Sequence, residues 1–253
     1  MAPRPRLLIL GGTGEARALA DRLIGLGRCE IVTSLAGRTA APLTPAGGLR
    51  HGGFGGPDAL ADYLRDEAIA AVVDATHPFA AQISHHAAQA CAARDVPRLL
   101  LLRPPWQAER GDRWTQVASP EAAAALLPER GRRVFLGIGR QALAAFADRP
   151  GVWYLIRSIE PAATPGFAMN AHCIRARGPF DRDGEAALMR EHAIDCLVTR
   201  NSGGAATYAK VEAARALGLP AIVIARPPLP DGDTVDEVDD ALRWIADKFA
   251  LDC

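Results

Sequence analysis

Short apolar runs alternate with longer periodic stretches along almost the whole chain, and this alternation constrains the fold more than any other feature. A strand buried on both faces reads as a continuous apolar run, and the helix that covers it as a longer amphipathic stretch. RLLIL (6–10) leads to a helix over Glu15–Leu26, EIVTS (30–34) to a Gly/Pro-rich segment and a helix over Pro57–Glu67. AAVVDA (70–75) leads to a helix over Pro78–Arg94, and PRLLLLR (97–103) follows as a fourth strand. The second half repeats the scheme. A strand near Trp114–Val117 and the runs RVFLGIG, VWYLIRS, IDCLVTR and AIVIAR alternate with helices over Pro120–Leu127, Arg140–Ala147, Arg182–His192, Thr207–Leu217 and Val235–Phe249. Such alternation gives parallel sheets covered on both faces. The expected fold is therefore α/β, with two doubly wound, Rossmann-like lobes whose parallel sheets face a central cleft. The polar, proline-containing RPPWQAERGDR (103–113) marks the boundary and divides 1–103 from 104–253.

Charge and cysteine content narrow the function. Lys+Arg and Asp+Glu both number 29 in 253 residues, so the formal net charge is zero. A general nucleic-acid binder carries a strong basic excess, so no nucleic-acid partner is expected. The five cysteines are scattered and form no Cys-x-x-Cys, and the six histidines show no metal-ligand spacing. No metal is expected, and the free cysteines suit a reducing compartment. The apolar run Leu7–Leu10 stops at Gly11, too short for a signal peptide, and no run approaches the ~18 residues of a membrane span. A soluble, cytoplasmic chain with no membrane partner is expected.

In open parallel sheets, ligands gather beyond the carboxyl ends of the strands. After the first strand stand Gly11, Gly12, Thr13 and Gly14, followed by a helix whose N-terminus points N–H groups outward, a geometry suited to phosphate. The dinucleotide fingerprint is incomplete, because its third glycine would fall on Arg17. An NAD-binding domain carries an acid after its second strand; Ser34 and Arg38 stand there instead, a pair suited to a 2′-phosphate. NADP(H) is thus expected over NAD(H). After the third strand, Pro78 suits a first helical turn and Thr76 its cap, which leaves His77 to orient a cofactor or supply a proton.

The second lobe offers Gly137-Ile138-Gly139-Arg140 after one strand and Thr199-Arg200-Asn201-Ser202-Gly203-Gly204 after another, with Lys210 just inside the next helix. Arg103, Arg157 and Arg226 also stand at strand ends and suit a ligand with several carboxylates. Tyr208-Ala209-Lys210 has the wrong spacing for the Tyr-x-x-x-Lys of short-chain dehydrogenases. A Gly-x-Ser-x-Gly elbow and the Gly-Lys-Ser/Thr of a P-loop are missing as well. The residues themselves lead to an NADP-binding, two-lobed protein with an anionic partner.

LILGGTGEARALA, DATHPFA, LLRPPW, GIGRQ, RSIEP and VTRNSGG with Lys210 occur in the order found in precorrin-6A reductases of cobalamin biosynthesis. The chain resembles that family from about Leu7 to about Arg226. The resemblance implies NADPH-dependent hydride transfer that reduces one double bond of the precorrin-6A macrocycle to give precorrin-6B. The substrate would be a tetrapyrrole bearing acetate and propionate groups, bound with NADPH between the lobes. Carried over, Gly11, Gly12, Thr13 and Gly14 match the pyrophosphate turn, Ser34 and Arg38 the 2′-phosphate end, and Thr76 and His77 the nicotinamide side. Arg140, Asn201, Ser202 and Lys210 are candidates for substrate or cofactor oxygens. His77 and Lys210 are the candidate catalytic proton donors, beside water and a substrate carboxylate. The rival readings are a non-catalytic NADP-binding regulator and a reductase of another polycarboxylate.

Overall fold

A computed structural model of the chain describes residues 4–37, 47–147, 149–159, 167 and 170–251. Arg38 lies outside the described residues, as do the last two residues of the RSIEP motif. The chain forms two compact units: Met1–Pro104 with Pro227–Cys253, and Pro105–Arg226.

The first lobe contains β1 (Arg6–Leu10), α1 (Gly14–Leu26), β2 (Glu30–Leu35), β3 (Gly48–His51), α2 (Pro57–Asp66), β4 (Ile69–Asp74), α3 (Ala81–Arg94) and β5 (Arg98–Leu101). The second contains β6 (Arg113–Val117), α4 (Pro120–Ala125), α5 (Leu127–Arg130), β7 (Arg133–Gly137) and a 3-10 helix over Arg140–Phe146. It continues with β8 (Trp153–Ser158), β9 (Ala171–Arg175), α6 (Arg182–Glu191), β10 (Cys196–Arg200), α7 (Ala209–Ala216) and β11 (Pro220–Ile224). β12 (Asp233–Val235) and α8 (Val238–Phe249) then return to the first lobe.

Both sheets are wholly parallel and six-stranded, in the orders β12-β5-β4-β1-β2-β3 and β6-β11-β10-β7-β8-β9. Read from the far edge, each is the doubly wound order 3-2-1-4-5-6 with the order reversing beside its first strand. The sixth strands are exchanged. β6 follows β5 in the chain but pairs with β11, and β12 follows β11 but pairs with β5. The division of 1–103 from 104–253 is therefore corrected: the tail from Pro227 onward belongs to the first lobe. The physical reason is burial. Leu99 and Leu101 of β5 are covered by Ala241, Leu242 and Ile245 of α8, which packs beside α1.

Alternation along the strands distributes the cores. Leu7, Ile9, Ile31 and Val73 face α1 and α8, while Leu8, Leu10, Val32 and Val72 face α2 and α3. In the second lobe Phe135, Leu155, Leu197 and Val223 pack under α6 and α7. Two helices depart from expectation. α3 begins at Ala81 rather than Pro78, because His77–Ala80 forms a turn closed by the Ala80 N–H donating to the His77 carbonyl at 2.7 Å. The Arg140 helix is 3-10; its cap is Gly139, which supplies no side-chain oxygen to the first N–H groups.

Burying a large apolar side chain is worth roughly 1.5–3 kcal/mol, and a whole domain is stable by only about 5–15 kcal/mol. Uncovering Leu99, Leu101 and the partners of α8 should therefore unfold the first lobe. Residues 1–104 expressed alone should show no cooperative urea transition by circular dichroism, and fusing residues 227–253 after Pro104 should restore one.

Candidate functional site

The first-lobe site is built where the sheet order reverses, between β1 and β4. Leu10 is in register with both Ser34 and Asp74, and Ser34 with Arg50, so one row crosses the carboxyl edge from Asp74 to Arg50. Gly11 donates its N–H to the Ser34 carbonyl at 2.9 Å. A Cβ on Gly11 would stand 2.9 Å from the stiff Thr33 Cγ2, so the turn must be side-chain-free there. Gly12 has φ +111°, the left-handed region that favours glycine, and around Gly12 and Gly14 an added Cβ would meet only open space. Thr13 then caps α1. Its Oγ1 accepts from the Ala16 N–H at 3.1 Å and donates to the Ala75 carbonyl at 2.7 Å, tying the turn to the end of β4.

The turn has the open, glycine-lined geometry that suits an anionic group. The open face at Gly12 and Gly14 meets the N-terminus of the 13-residue α1, where the dipole is positive and the first N–H groups point along the axis. Glu15, the one acid in that first turn, is drawn aside by Arg103, whose Nη1 lies 3.1 Å from its Oε2.

Thr76 does not cap α3. Its N–H and Oγ1 both donate to Asp74 Oδ1, at 3.2 and 2.7 Å, because the buried Asp74 carboxylate needs partners that the sheet does not provide. His77 follows, with Nδ1 accepting from the Phe79 N–H at 3.2 Å. The structure adds a cation absent from the sequence reading. Arg50 reaches Ser34 Oγ at 3.5 Å and donates to the Gly52 and Gly53 carbonyls at 2.6 and 3.0 Å, and its guanidinium lies 3.8 Å from the Phe54 ring centre. β3, which carries Arg50, has no apolar run to betray it. A separate cavity of about 340 Å³, lined in part by Cys91, Arg98, Asp231 and Lys248, lies at the opposite, amino-terminal edge of this sheet.

The second lobe uses the corresponding position differently. Gly137 ends β7, and the chain proceeds through Ile138 and Gly139 to the exposed Arg140. A Cβ on Gly137 would stand 3.1 Å from Lys210 Cε, so the lysine stem fills the space above the strand end. Lys210 sits in the first turn of α7, is 4% exposed, and donates to the Thr207 carbonyl at 2.6 Å. Burial, and then the Arg157 cation, pull its amine from the ordinary 10.5 down to about 7, against the opposing pull of Glu185; Arg200 adds to the lowering. Arg157 and Glu185 form a buried bidentate pair with Nη2–Oε2 at 3.0 Å, and the Arg157 guanidinium stacks 3.7 Å from the Phe180 ring centre.

Several strand-end groups expected to meet a ligand are engaged by the protein. Arg157 is committed to Glu185, Arg103 to Glu15, and Arg226 donates to the Asn201 and Ser202 carbonyls at 3.0 and 3.1 Å. Both ends of the Asn201 carboxamide bond the main chain of Trp106. Ser202 is buried, with Oγ 3.4 Å from the Arg200 carbonyl. No helix among the described residues is long and apolar enough to cross a membrane.

A family described as precorrin-6x reductase CbiJ/CobK matches residues 6–246. A precorrin-6A reductase of Rhodococcus erythropolis is 53% identical over 95% of this chain and 97% of its own length. A cobalt-precorrin-6A reductase of Priestia megaterium is 30% identical over 93% of this chain and 97% of its own length. A solved CobK precorrin-6A reductase superposes with a TM-score of 0.90 at 45% identity, covering 96% of this chain and 97% of the other. Matched along nearly its whole length in sequence and in fold, the chain belongs to the precorrin-6x reductase CbiJ/CobK family.

Proposed function

We propose that the chain reduces one C=C bond of precorrin-6A with NADPH, giving precorrin-6B, and that Lys210 delivers the proton. The observation that carries this reading is the dry amine of Lys210 at the carboxyl end of β7, held at about 7, where it exchanges a proton readily near neutral pH. The metal-free macrocycle is favoured over its cobalt form by identity, 53% to the Rhodococcus precorrin-6A reductase against 30% to the Priestia cobalt-precorrin-6A reductase.

When bound, NADPH supplies the hydride. Gly11, Gly12, Thr13 and Gly14 would hold its pyrophosphate through backbone N–H groups and the α1 dipole. Ser34, Arg38 and Arg50 would hold the 2′-phosphate, and Thr76 and His77 would flank the nicotinamide. The Thr207 carbonyl and Glu185 favour the charged Lys210 amine, while burial and the cations Arg157 and Arg200 favour release of its proton. Arg140 and Ser202 remain candidates for the acetate and propionate oxygens of the tetrapyrrole, a small-molecule partner whose several carboxylates need cations.

Anaerobic NADPH oxidation in the presence of precorrin-6A tests the reading. Because the donor must be charged, kcat should fall as pH rises through about 7. Lys210→Met should lower kcat about 100-fold or more and remove that alkaline limb while leaving NADPH affinity intact. Unchanged turnover in Lys210→Met would move the proton transfer to another group. Losing a hydrogen-bonded charge pair is worth about 1.5–3 kcal/mol. Arg50→Ala should accordingly weaken NADPH by about tenfold or more and NADH far less; equal weakening of both, read by fluorescence titration, would take Arg50 away from the 2′-phosphate.

A further inference from the structure

Resting on the reading of Lys210 as proton donor, we propose that Trp106, clamped by the Asn201 carboxamide, is a positioning residue that seals the Lys210 amine from water and fixes its place. Trp106 is the second residue after the chain leaves the first lobe at Pro104. Its N–H donates to Asn201 Oδ1 at 2.7 Å and its carbonyl accepts from Asn201 Nδ2 at 2.9 Å, so one side chain satisfies both polar groups of one backbone unit. The indole Nε1–H donates to the Gly204 carbonyl at 2.8 Å, which sets the ring's orientation.

That orientation places the ring centre 5.1 Å from Lys210 Nζ and 5.4 Å from the Tyr208 ring. The rest of the connector is strapped to α7. Tyr208 Oη donates to Glu109 Oε1 at 2.8 Å, and Arg215 donates to Asp112 Oδ1 at 2.9 Å and to Tyr208 Oη at 2.6 Å. Trp106 is only 9% exposed, and Lys210 less still.

Packing alone would not need this apparatus, since any large apolar residue could fill the core under α7. Two hydrogen bonds from Asn201 anchor the backbone of Trp106, and the Nε1–H bond to Gly204 orients its ring over the amine. The charged groups that act on the amine are Arg157 from β8, Glu185 from α6 and Arg200 from β10, while Gly137 of β7 lies against its stem. Trp106 adds an uncharged wall, with a π face that tolerates an ammonium. Removing the ring admits water, which restores the charged form and outweighs the lost attraction of the π face, because burial is the largest influence on this amine. Asn201 thereby leaves the substrate contacts expected of it and acts through Trp106.

The test titrates full-length protein with ¹⁵N-labelled lysine, using Lys210→Met to identify the Lys210 resonance, alongside kcat against pH. The native amine should titrate near 7. In Trp106→Leu and Asn201→Ala its midpoint should rise by about one unit or more, and the alkaline limb of kcat should move with it. Trp106→Phe, which keeps an aromatic wall but loses the Gly204 bond, should fold and shift less. An unmoved midpoint in the folded variants, Trp106→Phe included, would overturn the proposal and leave Trp106 as packing only. A midpoint that rises while the kcat profile stays put would support the positioning of the amine and instead refute the proton-donor reading.

Discussion

Burial of both faces of two parallel sheets is the constraint from which the rest of the molecule follows. A parallel strand exposes apolar side chains on either side, so each sheet needs a helix layer above and below. In the first lobe one of those layers is incomplete until α8 returns from the far end of the chain to cover Leu99 and Leu101. The exchanged βα units, β6 with α4 and β12 with α8, let both sheets reach the same six-stranded order. They also fix the chain's two crossings, Pro104–Pro105 and Arg226–Pro227, directly after β5 and β11. Both crossings carry the tripeptide Arg-Pro-Pro, at Arg103 and at Arg226, and prolines there keep the chain from continuing into a helix.

The same topological position then serves two different ends. In each lobe a glycine turn follows the first strand of the doubly wound order and faces the strand where that order reverses. In the first lobe the space above the turn is open, and the 13-residue α1 aims its positive end at it. In the second, the Lys210 stem lies against Gly137 and a 3-10 helix replaces the long α-helix. One turn is open; the other is closed around an amine. Their divergence rests on a few residues, chiefly Thr13 as a side-chain cap where the second lobe has Gly139, and a lysine where the second lobe needs its space filled.

Much of this was legible in the sequence, for physical reasons. The eight strands β1, β2, β4, β5, β7, β8, β10 and β11 are apolar runs because most of them are buried on both faces, although β6 needed only its short Trp114–Val117 signal. β3 (GLRH), β9 (AHCIR) and β12 (DTV) are short, polar edge or end strands, and no periodicity marks them. The glycine turn was readable because close backbone approach demands glycine wherever it occurs. Arg50 was not, since its place beside Ser34 depends on the unmarked β3. Nor was the true engagement of Asn201, whose partner Trp106 lies 95 residues away in the chain. Arg157 showed as a strand-end cation, but its commitment to Glu185 is visible only once α6 is laid on the sheet.

On the proposed function, the first-lobe turn holds the nicotinamide nucleotide and the second-lobe turn, closed by Lys210, does not. Calorimetric titration of the protein with NADPH tests it most directly, with Gly12→Val and Gly139→Val as parallel variants. The expected result is a single NADPH per chain, lost in Gly12→Val and retained in Gly139→Val. Two NADPH per chain, or binding that survives Gly12→Val and disappears in Gly139→Val, would contradict it.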